Sequence, residues 1–472
     1  TTAWLTAQYD FPLRRLLIPA LALPLAAPAY VIGYVYADLL EFAGPVQALL
    51  RQWLDWPANA ALLPNVRSLP GASLVLALVL YPYIYLLARG SFVQQSGALH
   101  EAARALGASR LTVFWRVGLP VAWPALMGGV ALVLMETVAD YGVVEHYGVP
   151  TLTTGIFRTW FAMGEPAAAL QLAGWLFILV CMLIVAEQFA RRGQRFNPLS
   201  RQRQVVRPRL MGWQGWIACG LCLLPVLLGL VLPLLALFGM ALTVGQTPFN
   251  STFLTLIGNS IWVASIAAVI CAAAAVWLAY AERLYPKPLL RGGVRVATLG
   301  YAVPGLVLAV ALMLPMTSLD KWIATQLRDV FEIRWGLLLT GTSAALIFVY
   351  VARFLTVAFN STQAGLTQIH PQFDAAARSL GQSPRGVLRR VHLPLLRPAI
   401  LTGLLLVFID VMKELPATLI LRPFNFETLA TRVYRYAADE RLAEASTAAL
   451  VIVLVSLVPT WLLTLSRRDD ES

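Results

Sequence analysis

Lysine is almost absent from this chain, and so are the motifs of common enzymes. Its 472 residues include only three lysines, Lys287, Lys321 and Lys413, and none of them follows a glycine. A phosphate-binding loop of the G-x-x-x-x-G-K type requires that Gly-Lys pair, so this kind of nucleotide site is excluded. The G-x-S-x-G turn of serine hydrolases is missing too. Energy for any active process would therefore have to come from another subunit.

Charged side chains are scarce as well. Only 13% of the residues are charged whereas 59% are hydrophobic, and the mean hydropathy is +0.70. These values lie well outside the range of soluble globular domains. The net charge of +12 would suit a nucleic-acid-binding protein, but the arginines concentrate in loops between apolar runs. Composition therefore indicates a membrane protein and argues against nucleic acid as a partner.

Apolar stretches of about 20 residues, the length that crosses a bilayer core as a helix, recur along the whole chain. We predict an all-α membrane protein with about ten membrane helices. Their predicted ranges are 15–37, 69–89, 119–138, 167–189, 211–241, 254–281, 295–315, 336–357, 396–413 and 446–465. All four cysteines fall inside these ranges, where cysteine behaves as a small apolar residue.

The loops alternate between basic and acidic, which predicts how the helices are oriented. The loop 191–209 holds seven arginines and no acid, and arginines also crowd the segments 89–116 and 378–397. Acidic residues gather instead in 136–165 and 414–444. The positive-inside rule places the basic loops in the cytoplasm and the acidic loops outside. Both termini of this chain are then expected to be cytoplasmic.

Two similar halves make up the chain. Trp4 is followed by Pro12 much as Trp277 is followed by Pro286. About 65 residues with two helices precede Trp277 after the basic loop 191–209, whereas nothing equivalent precedes Trp4. We therefore expect two further helices before this chain in the intact protein, about twelve in all. The predicted domains are a first half at 1–190, an arginine-rich cytoplasmic linker at 191–209 and a second half at 210–472.

A segment of 24 residues occurs twice, beginning at Glu101 and again 274 positions later at Ala375, with 12 identical positions. Gly107 and Gly381 can take the left-handed conformation that ends a helix. Ser109 and Ser383 are natural N-caps for the next helix. The pattern predicts a helix–turn–helix at the cytoplasmic surface in each half. An ordinary solvated loop would have no reason to keep alanines and glycine at matching positions.

The repeated segment resembles the cytoplasmic loop of permease subunits in bacterial ATP-binding-cassette importers, which carries E-A-A, a glycine and a later L-P. The resemblance implies the type I permease fold of that family, with two pseudo-symmetric halves fused in one chain. It also implies that each copy docks in a groove of one of two ATPase subunits. The implied coupling residues are Glu101, Ala102, Ala103, Gly107, Asp374, Ala376, Ala377 and Gly381. Ala375 departs from the pattern, because the glutamate is missing there and Asp374 stands one position earlier.

Outward segments resemble those of iron(III) importer permeases. Residues 139–150 and 154–157 are similar to the outward loop of that group, whereas 414–418 and 421–423 also occur in thiamine permeases. The resemblance implies a multi-pass protein of the bacterial inner membrane that receives iron(III) from a periplasmic binding protein. Iron(III) is a hard cation that suits carboxylate and phenol oxygens. Thiamine, polyamine and phosphonate stay open as cargo, and no cofactor is expected in this chain, since ATP and magnesium would lie on the partner subunits.

Acidic and phenolic side chains near the outer helix ends are candidates for the transport path. They are Glu136, Asp140, Tyr141 and Glu145 in the first half, and Asp410 and Glu414 in the second. Ionisable groups at membrane depth are costly and usually functional. The alternative for Asp410 is a simple ion pair with Lys413, three residues later on the same helix. We assign no metal ligands from the sequence.

Two other classes of protein remain as alternatives. An ion-coupled secondary transporter would need no ATPase, and the duplicated loop argues against it. A membrane-embedded enzyme would need clustered histidine or acidic ligands within the spans, and the sequence does not place such a cluster there. The favoured hypothesis is an importer permease in which partner ATPases rock one half against the other, as two-repeat transporters do.

Overall fold

The protein is helical throughout the part of the chain that can be described. The computed structural model describes residues 1–55, 57, 59–61, 63–95, 103, 105–191, 207–244, 250–332 and 336–469. Within these residues, the regular structure is helical apart from one isolated β-bridge between Asp10 and Arg209. The all-α prediction is confirmed.

Helices of very different lengths follow one another along the chain. The α-helices before the linker are α1 (Thr2–Gln8), α2 (Arg14–Ala20), α3 (Ala29–Leu40), α4 (Pro45–Trp53), α5 (Leu69–Gln94), α6 (Arg110–Val113), α7 (Leu119–Ala139), α8 (Gly142–His146), α9 (Leu152–Phe161) and α10 (Pro166–Arg191). Those after the linker are α11 (Trp213–Val226), α12 (Leu232–Thr243), α13 (Ser251–Leu284), α14 (Pro288–Ala297), α15 (Gly305–Phe331), α16 (Ser343–Gln368), α17 (Gln372–Ser379), α18 (Pro384–Val387), α19 (Leu393–Met412), α20 (Pro416–Leu421), α21 (Leu429–Ala438) and α22 (Leu442–Asp469). Short 3-10 helices at Leu23–Ala26 and Gly300–Ala302 complete the set, together with π-helical turns at Phe114–Gly118, Leu227–Val231 and Leu388–His392.

Eight helices in the described residues are long and apolar enough to cross a membrane. They match eight of the ten predicted ranges. The range 446–465 lies within the 28-residue helix α22, Leu442–Asp469, whose part Leu442–Leu457 is apolar. The largest difference in boundaries is at 295–315, where the membrane helix begins only at Gly305. The amphipathic helix α14 and Pro304, which adopts an extended backbone with ψ 137°, precede it.

The first predicted membrane helix, 15–37, is broken into two helices in the structure. Arg14–Ala26 and Ala29–Trp53 form a pair of apolar helices bent by 90°. Pro28 lies at the break with φ −61° and ψ 134°, which is extended rather than helical. Proline also lacks a backbone N–H, so the helical ladder is interrupted there. Hydropathy alone had merged these two short helices into one range.

The two halves repeat helix by helix. Helices α5 and α16 begin and end 274 positions apart, and the same offset relates α6 to α18 and the start of α7 to the start of α19. The offset equals that of the duplicated sequence segment. The repeat found in the sequence is therefore a repeat of structure that extends well beyond the loop.

A π-helical turn precedes three Leu-Pro pairs, including the pair in each repeated segment. The turns at Phe114–Gly118, Leu227–Val231 and Leu388–His392 are each followed by leucine and then proline. A proline ring removes one hydrogen bond and crowds the carbonyl four residues earlier. A wider turn accommodates both effects. The Leu-Pro of the repeated segment therefore lies within a continuous helix instead of marking a new one.

One helix pair in each half is held close by a glycine. A Cβ atom built on Gly129 would lie 2.7 Å from Cα of Ile84, and one on Gly403 would lie 3.1 Å from Cα of Ala358. Gly129 and Gly403 are 274 positions apart in the sequence, and so are their partners Ile84 and Ala358. Each glycine thus lets α7 approach α5, or α19 approach α16, at backbone distance.

Replacing Gly129 with alanine is expected to lower the thermal unfolding temperature of the detergent-solubilised protein. The added methyl group would meet backbone atoms, and such overpacking costs about 1–3 kcal/mol. Gly403→Ala should be milder, because its contact is longer. Gly90→Ala on α5 is the matched control, since nothing lies within 4 Å of its Cβ position and alanine favours a helix. Equal unfolding temperatures for Gly129→Ala and Gly90→Ala would contradict the close approach.

The hydrophobic core near the N-terminus is built around Trp4. Its ring contacts Phe92 and Phe114 edge to face, with centroid distances of 5.1 and 5.2 Å. Cys219 and Cys222 are buried in the same core, and both are free thiols. Their C-x-x-C spacing therefore serves packing.

Two compact units divide the chain differently from the sequence repeat. One contains Thr1–Thr151, Ile178–Thr243 and Thr460–Ser472, and the other contains Leu152–Phe177 and Val244–Pro459. Each unit includes segments from both predicted halves. The boundaries at 190 and 210 remain a prediction from the sequence.

Candidate functional site: the duplicated loops and the outer helix ends

The second repeated loop has the helix–turn–helix form that its sequence predicts. Helix α17 ends at Ser379, and Gly381, two residues later, has a φ of +76° in the left-handed region. The amide of Gln382 donates to the carbonyl of Ala377 at 3.0 Å, which is the long bond of a Schellman motif. The hydroxyl of Ser383 accepts a hydrogen bond from the amide of Gly386 at 3.2 Å and caps α18.

The first repeated loop shows the same geometry where it is described. Gly107 has φ +85°, and the amide of Ala108 donates to the carbonyl of Ala103 at 3.1 Å. The hydroxyl of Ser109 accepts from the amide of Thr112 at 3.2 Å. The predicted coupling residues Glu101 and Ala102 lie outside the described residues.

Each loop presents an exposed leucine just before its glycine. Leu106 is 88% exposed and Leu380 is 81% exposed, and the two differ by 274 positions. Ala376 is also exposed, whereas Ala377 is buried against the protein. The two copies of the loop therefore expose the same large apolar side chain at the same place.

Asp374, one of the predicted coupling residues, is turned toward its own chain. One carboxylate oxygen accepts from Nε of Arg283 at 2.9 Å, and the other lies 2.5 Å from Nε2 of His392. Burial alone would raise the pKa of Asp374, but these hydrogen bonds and the neighbouring positive charge outweigh burial and hold that pKa below its usual value. The carboxylate therefore stays charged at neutral pH.

Two of the predicted path residues cap the short helices that follow α7 and α19. The carboxylate of Asp140 accepts from the amides of Val143 and Val144 at 3.0 and 3.1 Å. The carboxylate of Glu414 accepts from the amide of Ala417 at 3.0 Å. Asp140 and Glu414 differ by 274 positions, so the repeat places an acid at the same structural position in each half.

The acids of the second half are paired with bases. Glu414 accepts from Nη1 of Arg353 at 2.8 Å, with side chains only 7% and 12% exposed. Asp410 lies 2.9 Å from Nζ of Lys413, which confirms the ion pair that the sequence left as an alternative. Arg353 comes from the middle of the apolar helix α16.

The remaining path candidates of the first half are buried or partly buried. Tyr141 is 1% exposed, and Glu136 and Glu145 are partly buried. The ring of His146 lies 4.6 Å from that of Tyr34 on α3. Within the described residues, no three histidine, cysteine, aspartate or glutamate side chains are grouped so that they could hold a metal ion.

Sequence reasoning does not single out Arg353, Arg283 or His392. Arg353 has a signal of its own, since an arginine in the middle of a membrane-length apolar helix is costly and usually has a role. Arg283 and His392 lie near the basic loops and look like ordinary cytoplasmic charges. Only the fold brings them to Asp374, which is 91 positions from Arg283 and 18 from His392.

Asn in place of Asp140 is expected to change how stability depends on pH. Burial raises the pKa of Asp140 to about 7, helped by Glu136 and opposed by the two capping amides. A raised pKa means that the folded state binds this proton more tightly than the unfolded state. Protonation of Asp140 therefore stabilises the folded protein, fully below about pH 4, and this contribution is lost as the pH rises to about 7. The wild-type protein should therefore unfold at a lower temperature at pH 8 than at pH 5.

Asp140→Asn should reduce that difference between pH 5 and pH 8. Glu165→Gln, at an exposed loop carboxylate, is the control and should keep the wild-type difference. An Asp140→Asn protein with the full wild-type pH dependence would show that another group titrates.

Comparison with known proteins shows that nearly the whole chain is similar to transport permeases. The family of binding-protein-dependent transport system inner membrane components matches residues 1–192 and 272–469. The Fe(3+)-transport system permease protein FbpB 2 of Haemophilus influenzae is 27% identical over 98% of this chain and 84% of its own length. Shorter matches, in both cases 30% identical or more, are the molybdenum permease ModB of the same organism and the sulfate permease CysT of Salmonella typhimurium.

The shorter relatives are informative about the duplication. ModB of Haemophilus influenzae is 31% identical over 202 residues, which is 84% of that protein but only 41% of this chain. CysT of Salmonella typhimurium is 32% identical over 142 residues, which is 48% of its length and 30% of this chain. A relative of half the size fits a chain built from two copies of one permease unit.

The eight apolar spans and the family match over both halves lead to one conclusion: the chain belongs to the inner membrane components of binding-protein-dependent transport systems, as a multi-pass permease.

Proposed function

We propose that this chain is the membrane-spanning permease of an ATP-driven importer that carries iron(III) into the cytoplasm. The relative that matches 98% of the chain is named as an Fe(3+)-transport permease. A periplasmic binding protein would deliver the iron.

Two ATPase subunits would supply the energy, one at each repeated loop. The observation that carries this proposal is the pair of exposed leucines, Leu106 and Leu380, each fixed on a turn by a glycine with positive φ. Apolar anchors that fit a pocket contribute most of the affinity at protein interfaces. ATP and magnesium would be bound by those subunits. With the loops in the cytoplasm, both termini of this chain would be cytoplasmic too.

Closure of the ATPases would pull the loops and tilt the long helices joined to them. Helices α7 and α19 run from the loops to the capped outer ends at Asp140 and Glu414. Because each π-helical turn continues directly into the following helix, a displacement of the loop would reach the outer end without a flexible joint. This is the alternating access that two-repeat transporters use.

Uptake of radioactive iron into proteoliposomes tests the cargo. The vesicles would contain this chain with its ATPases, and the binding protein and iron(III) would be added outside. We expect iron uptake that requires ATP and is not reduced by excess thiamine, polyamine, phosphonate, molybdate or sulfate. Uptake of one of these competitors in place of iron would overturn the cargo and leave the importer class intact.

A further inference from the structure

Arg283 joins three helices at the cytoplasmic end of the second half. It lies in the last turn of α13, and its Nε and Nη2 atoms bind the carboxylate of Asp374 on α17 at 2.9 and 2.8 Å. Its Nη1 and Nη2 atoms also donate to the carbonyls of Leu366 and Ile369 at 2.8 and 3.0 Å. These carbonyls are at the end of α16, where a helix leaves its acceptors without internal partners. One guanidinium group thus ties the ends of α13 and α16 to the loop helix.

His392 connects the same carboxylate to the helix that returns to the membrane. Its side chain is completely buried, at the end of the π-helical turn that leads into α19. Its ring contacts that of Tyr280 with a centroid distance of 5.3 Å. The hydroxyl of Tyr280 in turn donates to the carbonyl of Pro384 at 2.7 Å, at the start of α18. Asp374 therefore stands at a junction of α13, α16, α17 and α19.

Two contacts that the structure describes at corresponding positions of the first half join neutral groups. The carbonyl of Phe92, 274 positions before Leu366, accepts from the amide side chain of Gln8 at 2.9 Å. Gly118 stands where the second half has His392, and its carbonyl accepts from Gln95 at 3.0 Å. The space above Gly118 is filled by the Trp4 ring, which lies 2.6 Å from where a Cβ would be.

We propose that Arg283 and His392 are positioning residues that clamp the second loop to its own membrane helices through Asp374. The second loop is thereby held by partly buried charged groups and the buried ring of His392. This inference rests on the proposed docking of ATPases at the loops. It also accounts for the missing glutamate at Ala375, because the nearby carboxylate of Asp374 is engaged within the chain and the exposed Leu380 is left to make the contact.

The clamp should act on coupling more than on docking. Charge-assisted hydrogen bonds from several guanidinium nitrogens hold their partners in one geometry. Without the bonds of Arg283 and His392 to Asp374, the ATPase could still bind Leu380. Movement of the loop would, however, no longer be fully transmitted to α13 and α19. We expect the iron taken up per ATP hydrolysed to fall about tenfold, within the range of measured couplings between sites.

A double-mutant cycle in the reconstituted importer tests the clamp. The variants are Arg283→Met, Asp374→Asn and the two combined, and Gln8→Met is the matched control, since it removes the neutral bond of the first half. The readouts are the amount of ATPase that co-purifies with this chain, and the ratio of iron uptake to ATP hydrolysis. We expect ATPase to co-purify with each variant, a ratio about tenfold lower in both single variants, a double variant no worse than either, and a smaller loss in Gln8→Met.

Three results would overturn the clamp. They are a ratio within twofold of wild type in both single variants, a further drop in the double variant as if the residues acted independently, or an equal loss in Gln8→Met. Should Arg283→Met fail to fold, Arg283→Lys decides the question, because it keeps the charge but cannot make all the bonds. An intermediate ratio supports the clamp, and the full wild-type ratio contradicts it. Absence of ATPase from the wild-type preparation would instead overturn the proposed function itself.

Discussion

Changing Leu106 and Leu380 together to aspartate is expected to abolish ATP-driven uptake and to release the ATPase subunits. Both leucines stand almost fully in solvent at the ends of the repeated loops. A charge on such an apolar anchor would have to be buried in the partner's pocket. Each substitution should weaken binding by about 2 kcal/mol or more, roughly thirtyfold. Co-purification of tagged ATPase with the membrane chain measures the effect.

Two controls separate loss of docking from loss of folding. Leu289→Asp makes the same change at an equally exposed leucine, 89% exposed on α14 and outside both loops, and should retain the ATPases. Conservative changes of Leu106 and Leu380 to methionine should also retain them. Full ATPase binding by the double aspartate variant would rule out the leucines as anchors.

Arg353→Met is expected to destabilise the protein strongly. It would leave the carboxylate of Glu414 buried without the cation that lies 2.8 Å from it. Breaking a buried ion pair from one side costs about 3–5 kcal/mol. The surroundings leave little room to adjust, because a Cβ on Gly305 would lie 2.6 Å from Oε1 of Glu414. The thermal unfolding temperature of the detergent-solubilised chain should fall accordingly.

The double variant Arg353→Met with Glu414→Gln is the decisive companion, since it removes both charges. We expect it to recover much of the lost stability, because a neutral amide can remain buried near Ala417. Arg441→Met is the surface control, since Arg441 and Glu444 form an exposed pair, and it should unfold like the wild type. If single and double variants unfold at the same temperature, the buried charge is not the cause.

The sequence predicts the parts of the fold that are encoded locally. The repeated segment carries its own helix end, glycine and N-cap, so the left-handed Gly107 and Gly381 and the capping Ser383 follow from a few neighbouring residues. Long apolar runs likewise locate eight membrane helices. Hydropathy fails where composition stays apolar but the backbone turns, as at Pro28 between α2 and α3.

Contacts between distant segments are beyond such reasoning. Arg353 and Glu414 are 61 positions apart, and Arg283 and Asp374 are 91 apart. Nothing in their local sequence shows that they meet. From the sequence Asp374 looks like a displaced docking glutamate, but the ends of α13 and α19 converge on it and turn it inward. Predicted path residues such as Asp140 and Glu414 are likewise found as helix caps, a role that depends on the turns after α7 and α19.

The central claim is that the two repeated loops are the docking points of the ATPases. Photo-crosslinking in the assembled importer tests it most directly, with a benzophenone amino acid placed in turn at positions 106, 380 and, as a control, 289. We expect covalent adducts with the ATPase subunit from positions 106 and 380 and none from 289. Active transport with no ATPase adduct from either loop would contradict it.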